Sequence, residues 1–262
     1  ALFERTRFGR SFTPSLRMAL RNIERRPIRS LLTSIALAFA TGILVVPSSF
    51  RDGIDYVLDY QWDVIQRQTV FATLIEPGPP QALADLRHLP GVTFAEPVRV
   101  APAELRAGNL MRRLRVVGLP AKSILNRVID AQNRQLILPP HGIVLSIKLA
   151  EVLNVKRGDN LIISILDGRR PQFVVPVVAL SEDFAGTAAY MEIDELNRQL
   201  GEGDRITGAY LSVTSSRWLE FLRAVKETPR TGGIVIKNAI REGFRKTTAE
   251  SIGLIQKLYL FF

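Results

Sequence analysis

Residues 30–50 read SLLTSIALAFATGILVVPSSF, an apolar run without one ionisable side chain. At about 1.5 Å of rise per helical residue the run reaches roughly 30 Å, the thickness of a bilayer's hydrocarbon core. The pattern therefore predicts a transmembrane helix. A buried soluble helix is the competing reading, but few such helices stay apolar for about 20 residues between charged flanks. A cleaved signal peptide fits worse: its apolar stretch would run only about 7–15 residues and end at a small-residue cleavage site, with no long basic leader before it. Beyond the run, Ile54, Val57, Leu58 and Ile65 recur at helical spacing, which predicts a helical stalk over 51–66.

Period-two alternation then takes over. A strand is expected over 69–75, followed by a helix over 80–89 that Pro90 and Gly91 end. Segments 92–105 and 110–119 flank Ala107, Gly108 and Asn109 and read as a β-hairpin. From 120 to 205 the texture changes to short elements. They are a strand over 142–145, Ser146 as cap of a helix over 147–153, strands over 161–166 and 173–180 around the turn Asp167 to Arg170, and a helix over 193–200 ended by Gly201 and Gly203. Pro171 and Pro176 favour an edge position for the second of those strands. The rhythm of the first lobe returns as a strand over 207–213, a cap at Ser215 or Ser216, a helix over 218–226, Pro229 as breaker, and a strand over 234–237.

The two strand–helix–strand units, 67–119 and 206–238, read as halves of one split βαβ, ferredoxin-like lobe, with 120–205 as an inserted β-rich subdomain held away from the membrane. Strand 69–75 is expected beside 207–213, with Ala72 or Thr73 near Leu211 or Ser212. The segment 239–262 begins as a helical stalk and turns strongly apolar over 252–262 around Gln256 and Lys257. It reads as the start of a second, truncated membrane helix, with an amphipathic helix packed on the domain as the alternative. The fold class is thus α+β and membrane-anchored.

Charge sharpens this picture. The net charge is +10, and residues 1–29 carry eight arginines against Glu4 and Glu24. Leu16, Ala19, Leu20 and Ile23 mark one helical face of this leader, while Arg17, Arg21 and Arg25 recur on another. A short helix lying on the membrane surface fits that pattern, capped by Thr13 with Pro14 in its first turn and bent into the bilayer at Pro27. Arg17, Arg21, Arg25, Arg26 and Arg29 would meet anionic lipid headgroups. Because Arg51 just past the run is followed at once by Asp52, the asymmetry puts the N-terminus in the cytoplasm and the main domain outside. Basic residues gathered beside a span do not form the stripe that a nucleic-acid partner requires.

Candidate chemistry is sparse. There is no cysteine, so neither disulfides nor thiolate chemistry are available, and compartment cannot be read from cysteine usage. His88 and His141 stand alone in turn-like contexts, which argues against a metal site. No GxxxxGK[ST] loop is present, GEGDRITG at 201–208 lacks the dinucleotide spacing, and no GxSxG elbow exists. Glu182 with Asp183, and Asp194 with Glu195, read as helix-start charges rather than an acid/base pair. No cofactor is expected, and no enzymatic activity. Tyr56, Tyr60 and Trp62 admit an interfacial belt or a packing seam. For Tyr56 and Tyr60, four apart, the seam is preferred, joined by Ile54 and Val57.

The leader MALRNIERRPIRSLLT, together with SIKLAEVLNVKRGDNLII at 146–163, resembles the FtsX-like permeases of ABC transporters, the family of macrolide-exporter and lipoprotein-releasing permeases. The second segment looks like the helix, tight turn and strand of their periplasmic core domain. The resemblance implies a permease module in a bacterial inner membrane, working with a separate cytoplasmic ATPase and with further permease helices or a second permease copy. It also implies an extracytoplasmic domain that moves as the ATPases close. A start at Ala1, with FERTRFGRSF resembling a linker between modules, suggests a piece of a longer protein and the second of two modules. A membrane-anchored binding or sensor domain is the alternative function.

Overall fold

In the computed structural model of the protein the described residues are 26–246 except 184 and 185, with side chains left undescribed at 43–52, 54, 55, 57 and 58. Arg17, Arg21, Arg25 and the apolar tail 252–262 lie outside them. The chain divides into two compact units, Ala1–Ile54 with Ala249–Phe262, and Asp55–Thr248.

Helix α1, Pro27–Asp59, opens on the proline expected to redirect the chain, a residue whose fixed φ and missing N–H suit the first helical position. Arg26 and Arg29 are exposed near its start, and Ile28, Leu31, Leu32, Leu37 and Phe39 are exposed along it. Its polar interruptions are internally satisfied: the Thr33 hydroxyl is within bonding distance of Arg29 O, and the Thr41 hydroxyl donates to Leu37 O. Among the described residues no helix is long and apolar enough to cross a membrane; 43–50, the second part of the apolar run, have no described side chains.

The unit Asp55–Thr248 is built on nine strands: β1 (Val70–Gly78), β2 (Val92–Ala107), β3 (Leu110–Leu119), β4 (Ile143–Ser146), β5 (Asn160–Ile165), β6 (Gln172–Ser181), β7 (Ala189–Glu192), β8 (Ile206–Val213) and β9 (Thr231–Ile236). Between them run α2 (Gln81–Arg87), α3 (Ile147–Leu153), α4 (Ile193–Leu200) and α5 (Trp218–Glu227); residues 237–246 are again helical. Strands β2, β8, β1 and β9 are neighbours in that order and all antiparallel. Strands from either side of 120–205 therefore share one sheet. Leu86 of α2 and Phe221 and Val225 of α5 bury against Val70, Ala72, Ala95 and Leu211 of that sheet.

The register differs from expectation by two residues: Val70 faces Leu211 and Ala72 faces Ala209. In this register Cβ-free Gly208 lies opposite Thr73, where a side chain would strike the Ala72 carbonyl.

The remaining strands close into a ring. Strand β2 pairs with β5 through 103–106 and with β3 through 99–107, while β3 continues through β7, β4 and β6 back to β5. Closure removes the exposed edges that an open sheet would present. The ring's core holds Leu105, Val116, Ile143, Leu145, Leu161 and Ile163, with Leu149 and Leu153 of α3 and Leu196 of α4 packed on it. The expected boundary at 119/120 thus does not coincide with a break in pairing, because β3 and half of β2 belong to the ring.

Local chemistry explains most elements. Ser146 Oγ accepts from Leu149 N, and Asn154 takes the left-handed position at φ 52° that ends α3. Gly201, at φ 64°, ends α4 in the same way. Two expectations need correction. Strand β6 is not an edge strand but lies between β4 and β5. Pro176 is tolerated because Val177 N donates towards Asp159, turning the proline nitrogen to the other side, where pairing with β4 begins only at Val177. Ser215 and Ser216 do not cap α5; they form a 3-10 turn, Ser215–Arg217, and the residue before α5 makes no side-chain cap bond.

The loop after β3 is bonded both to the four-stranded lobe and to the end of the stalk. Glu96 of β2, 5 % exposed, accepts from Ser123 Oγ at 2.8 Å, Ile124 N at 2.7 Å and Leu125 N at 2.8 Å. Leu125 O in turn accepts from Arg67 N, and Arg127 N donates to Ile65 O.

Two measurements check this fold. Phe94→Cys with Ser212→Cys, facing positions on β2 and β8, should oxidise to an intramolecular disulfide, since facing strand residues lie within roughly 7 Å; failure to crosslink would reject the shared sheet. Glu96→Ala should destabilise the domain by about 3 kcal/mol in denaturant unfolding, because the buried Leu125 N–H and Ser123 hydroxyl and the part-buried Ile124 N–H lose their acceptor, and Glu96→Gln by less.

Candidate functional site

Two places in the unit Asp55–Thr248 gather polar side chains for reasons that the fold itself does not explain. The first is where the flanking helical segments meet. Helix α1 does not continue as α-helix through the expected stalk: at Tyr60–Ile65 it widens to a π-helix, a rare geometry often found at functional sites, and Gln66 N returns to Gln61 O. Gln61, Trp62 and Ile65 are buried there. The Lys237 ammonium, at the start of the second helical segment, donates to Trp62 O at 2.9 Å and Gln66 O at 3.2 Å. A cation at the carbonyl end of a helix satisfies orphan acceptors and the helix dipole together. Burial lowers the lysine's pKa from its ordinary value, with Asp63 opposing. One turn on, Arg241 reaches Asp59 at 2.6 Å and Asp63 at 3.2 Å. Tyr60 adds a bond from its hydroxyl to Asn133 Oδ1.

Of the residues expected to pack the stalk, Tyr56 and Tyr60 do meet, with ring centroids 6.4 Å apart. Tyr56 is 68 % exposed. Ile54 and Val57 have no described side chains. The junction residues Asp59, Asp63, Lys237 and Arg241 were missed. Their signal was available as two acidic residues four apart before the domain and two basic residues four apart after it.

The second place is a cleft of about 610 Å3 beside the point where β2 changes partners. Val98 is the last residue of β2 to face β8, opposite Gly208, and Arg99 is the first to face β3. Thr207 bridges the change, donating to Val98 O and accepting from Val100 N. Arg99 lines the cleft yet is 5 % exposed. Its Nη2 donates to Glu202 Oε2 at 2.6 Å, while Nε and Nη1 have no partner among the described residues. Burial lowers the guanidinium's pKa, and the Glu202 carboxylate opposes the shift. Arg205 bonds to Pro77 O and Glu202 O, and Arg169 to Gly201 O; among the described residues neither makes an ion pair within 4.0 Å. GEGDRITG, read as a plain turn, supplies Glu202, Arg205 and Thr207 to this cleft.

The other candidates stay apart. His88 Nδ1 lies 2.7 Å from Ala84 O in its own turn, and His141 Nδ1 lies 3.3 Å from Glu195 Oε2. Glu195 is buried in bonds to Arg198 and Gln199, and Asp183 accepts from the Tyr190 hydroxyl. Among the described residues no cluster could hold a metal ion.

No family model and no curated protein matches the chain. Among solved structures, the periplasmic region of MacB from Actinobacillus actinomycetemcomitans is similar to it at 13 % identity and a TM-score of 0.47, over 72 % of this chain and 97 % of that one. The extracellular domain of the noncanonic ABC-type transporter YknZ from Gram-positive bacteria is similar at 12 % identity and a TM-score of 0.43, over 64 % of this chain and 98 % of that one.

Proposed function

We infer that the chain is a permease module of the FtsX type. In this reading residues 30–50 cross the inner membrane from a cytoplasmic leader, Asp55–Thr248 stands outside, and 239–262 leads back towards a second span. The single observation that carries it is the junction of the two flanking segments: Lys237 and Arg241 tie the outgoing helix to the end of the incoming one. A domain whose two ends are bonded side by side answers to any relative movement of the helices that continue from them. The exposed apolar face of α1 and the inward-bonded Thr33 and Thr41 suit a lipid or helix-packed setting, where every polar group needs an internal partner.

The leader arginines rest on anionic headgroups, the Tyr56 face meets a further permease helix or a second permease copy, and a separate cytoplasmic ATPase supplies the work. The module uses no cofactor and hydrolyses no nucleotide itself. Coupling serves export, lipid or lipoprotein handling, or mechanical transmission across the membrane. A membrane-anchored binding or sensor domain is the second reading, and the cleft at Arg99 is the observation in its favour.

Orientation is checked by labelling. A cysteine at Ser11 should resist an impermeant thiol reagent in intact spheroplasts while a cysteine at exposed Lys148 reacts; the reverse pattern would sink the topology. The junction is checked by hydrogen exchange: Lys237→Ala should accelerate exchange of amides 61–67 by about tenfold or more, as helix-end carbonyls lose their cap, while β5 and β6 stay unchanged.

A further inference from the structure

Arg99 is the most conspicuous unexplained group in the molecule. A guanidinium 5 % exposed ordinarily has every N–H bonded, since each unmet donor in the interior carries a desolvation penalty. Here one carboxylate is its whole complement of partners among the described residues. The carboxylate is the looser partner: the Glu202 side chain is 23 % exposed against 6 % for Arg99. Glu202 also sits between Gly201 and Gly203, at φ 64° and 71°, where a side chain at either glycine would meet nothing within 4 Å. The acid stands on a short loop with room around it, while the base is fixed in the sheet.

The cleft's composition indicates what could take the place of Glu202. Arg99, Arg169 and Arg205 face Asp167 and Glu202, so the walls are net basic and become more so when Glu202 leaves. Leu74, Ile75, Pro77, Ile165 and Leu200 supply the apolar part of a lining whose larger share is polar, and about 610 Å3 lies within the range of small-ligand sites. Arginine is the side chain suited to carboxylate and phosphate oxygens in a partly dry setting.

We propose that this cleft binds an anionic amphiphile, a carboxylate or phosphate head on a short apolar tail, whose head replaces the Glu202 carboxylate on Arg99. Glu202 acts as an internal stand-in for the ligand and keeps the buried guanidinium paired while the cleft is empty. Displacement leaves Arg99 charge-paired throughout and frees the loop at 201–203 to swing outwards. Arg169 and Arg205, bonded now only to backbone carbonyls, reach the head from the rim. The site is independent of the permease reading and would serve the sensor reading equally.

The test uses the full chain in nanodiscs of zwitterionic lipid, with empty discs as blank, and three soluble probes: hexyl phosphate, hexanoate and hexanol. Calorimetry should show saturable binding of at least one anion and none of hexanol; which anion binds separates a phosphate head from a carboxylate. Glu202→Gln, which keeps a side-chain oxygen for Arg99 Nη2 to donate to, should tighten binding about tenfold by removing the competing carboxylate. Arg99→Gln should abolish it. The proposal is overturned if neither anion binds to either the unaltered chain or Glu202→Gln, if hexanol binds as well as the anions, or if Glu202→Gln leaves the affinity unchanged.

Discussion

The structure depends on the continuity of one strand. β2 runs from Val92 to Ala107, and no other strand belongs to both the four-stranded lobe and the closed ring. Its first half faces β8 up to Val98, and its second half faces β3 from Arg99 and β5 from Ala103. The two halves therefore cannot separate without breaking a backbone ladder on one side or the other. At 98–99, where the partner changes, Thr207 braces both sides of the step. The cleft exists because of that step. A strand paired continuously on one side would leave no gap between the β5–β6 turn and the α4–β8 loop, and Arg99 would have been covered by backbone.

The same step accounts for the choice of residues around it. Gly118 faces Arg99, and a side chain there would press on Leu196 of α4 and on Arg99 itself. The ring can close tightly against the arginine only because that position is bare. Arg99 is thus held by packing on one side and by a single, more exposed acid on the other, an asymmetry that fixes which partner moves.

Much of the architecture was legible because its signals are local. The apolar alternation of 207–213, the Pro–Gly breaker after α2, and Ser146 and Asn154 at the two ends of α3 each act within a few residues. Pairing of remote strands was legible as the repeat of strand–helix–strand in 67–119 and 206–238. Register was not, because the close approach of Gly208 to the Ala72 carbonyl joins segments more than a hundred residues apart. The ring was hidden for a related reason: β2 reads as one uniform strand, and nothing in its alternation marks the residue at which it changes partners. The π-helix at Tyr60–Ile65 was equally hidden, and the residues that bond to it, Lys237 and Arg241, arrive from the far end of the domain. Glycines in GEGDRITG were correctly legible as a turn, yet the turn's role lies in the acid between them, which acquires meaning only beside Arg99.

A chain of hydrogen bonds links the two polar places. Ile65 O, at the end of the incoming stalk, accepts from Arg127 N, and Arg67 N donates to Leu125 O. Leu125 N is held by Glu96, which stands on β2 three residues before Arg99. Every link in this route is either backbone or a buried carboxylate with three donors, so it has little slack to absorb a displacement. A displacement of the stalk end would therefore be passed to β2 just ahead of its change of partner at 98–99. In the permease reading a ligand seated on Arg99 would favour one stalk position. A driven stalk would, by the same linkage, change the affinity for that ligand.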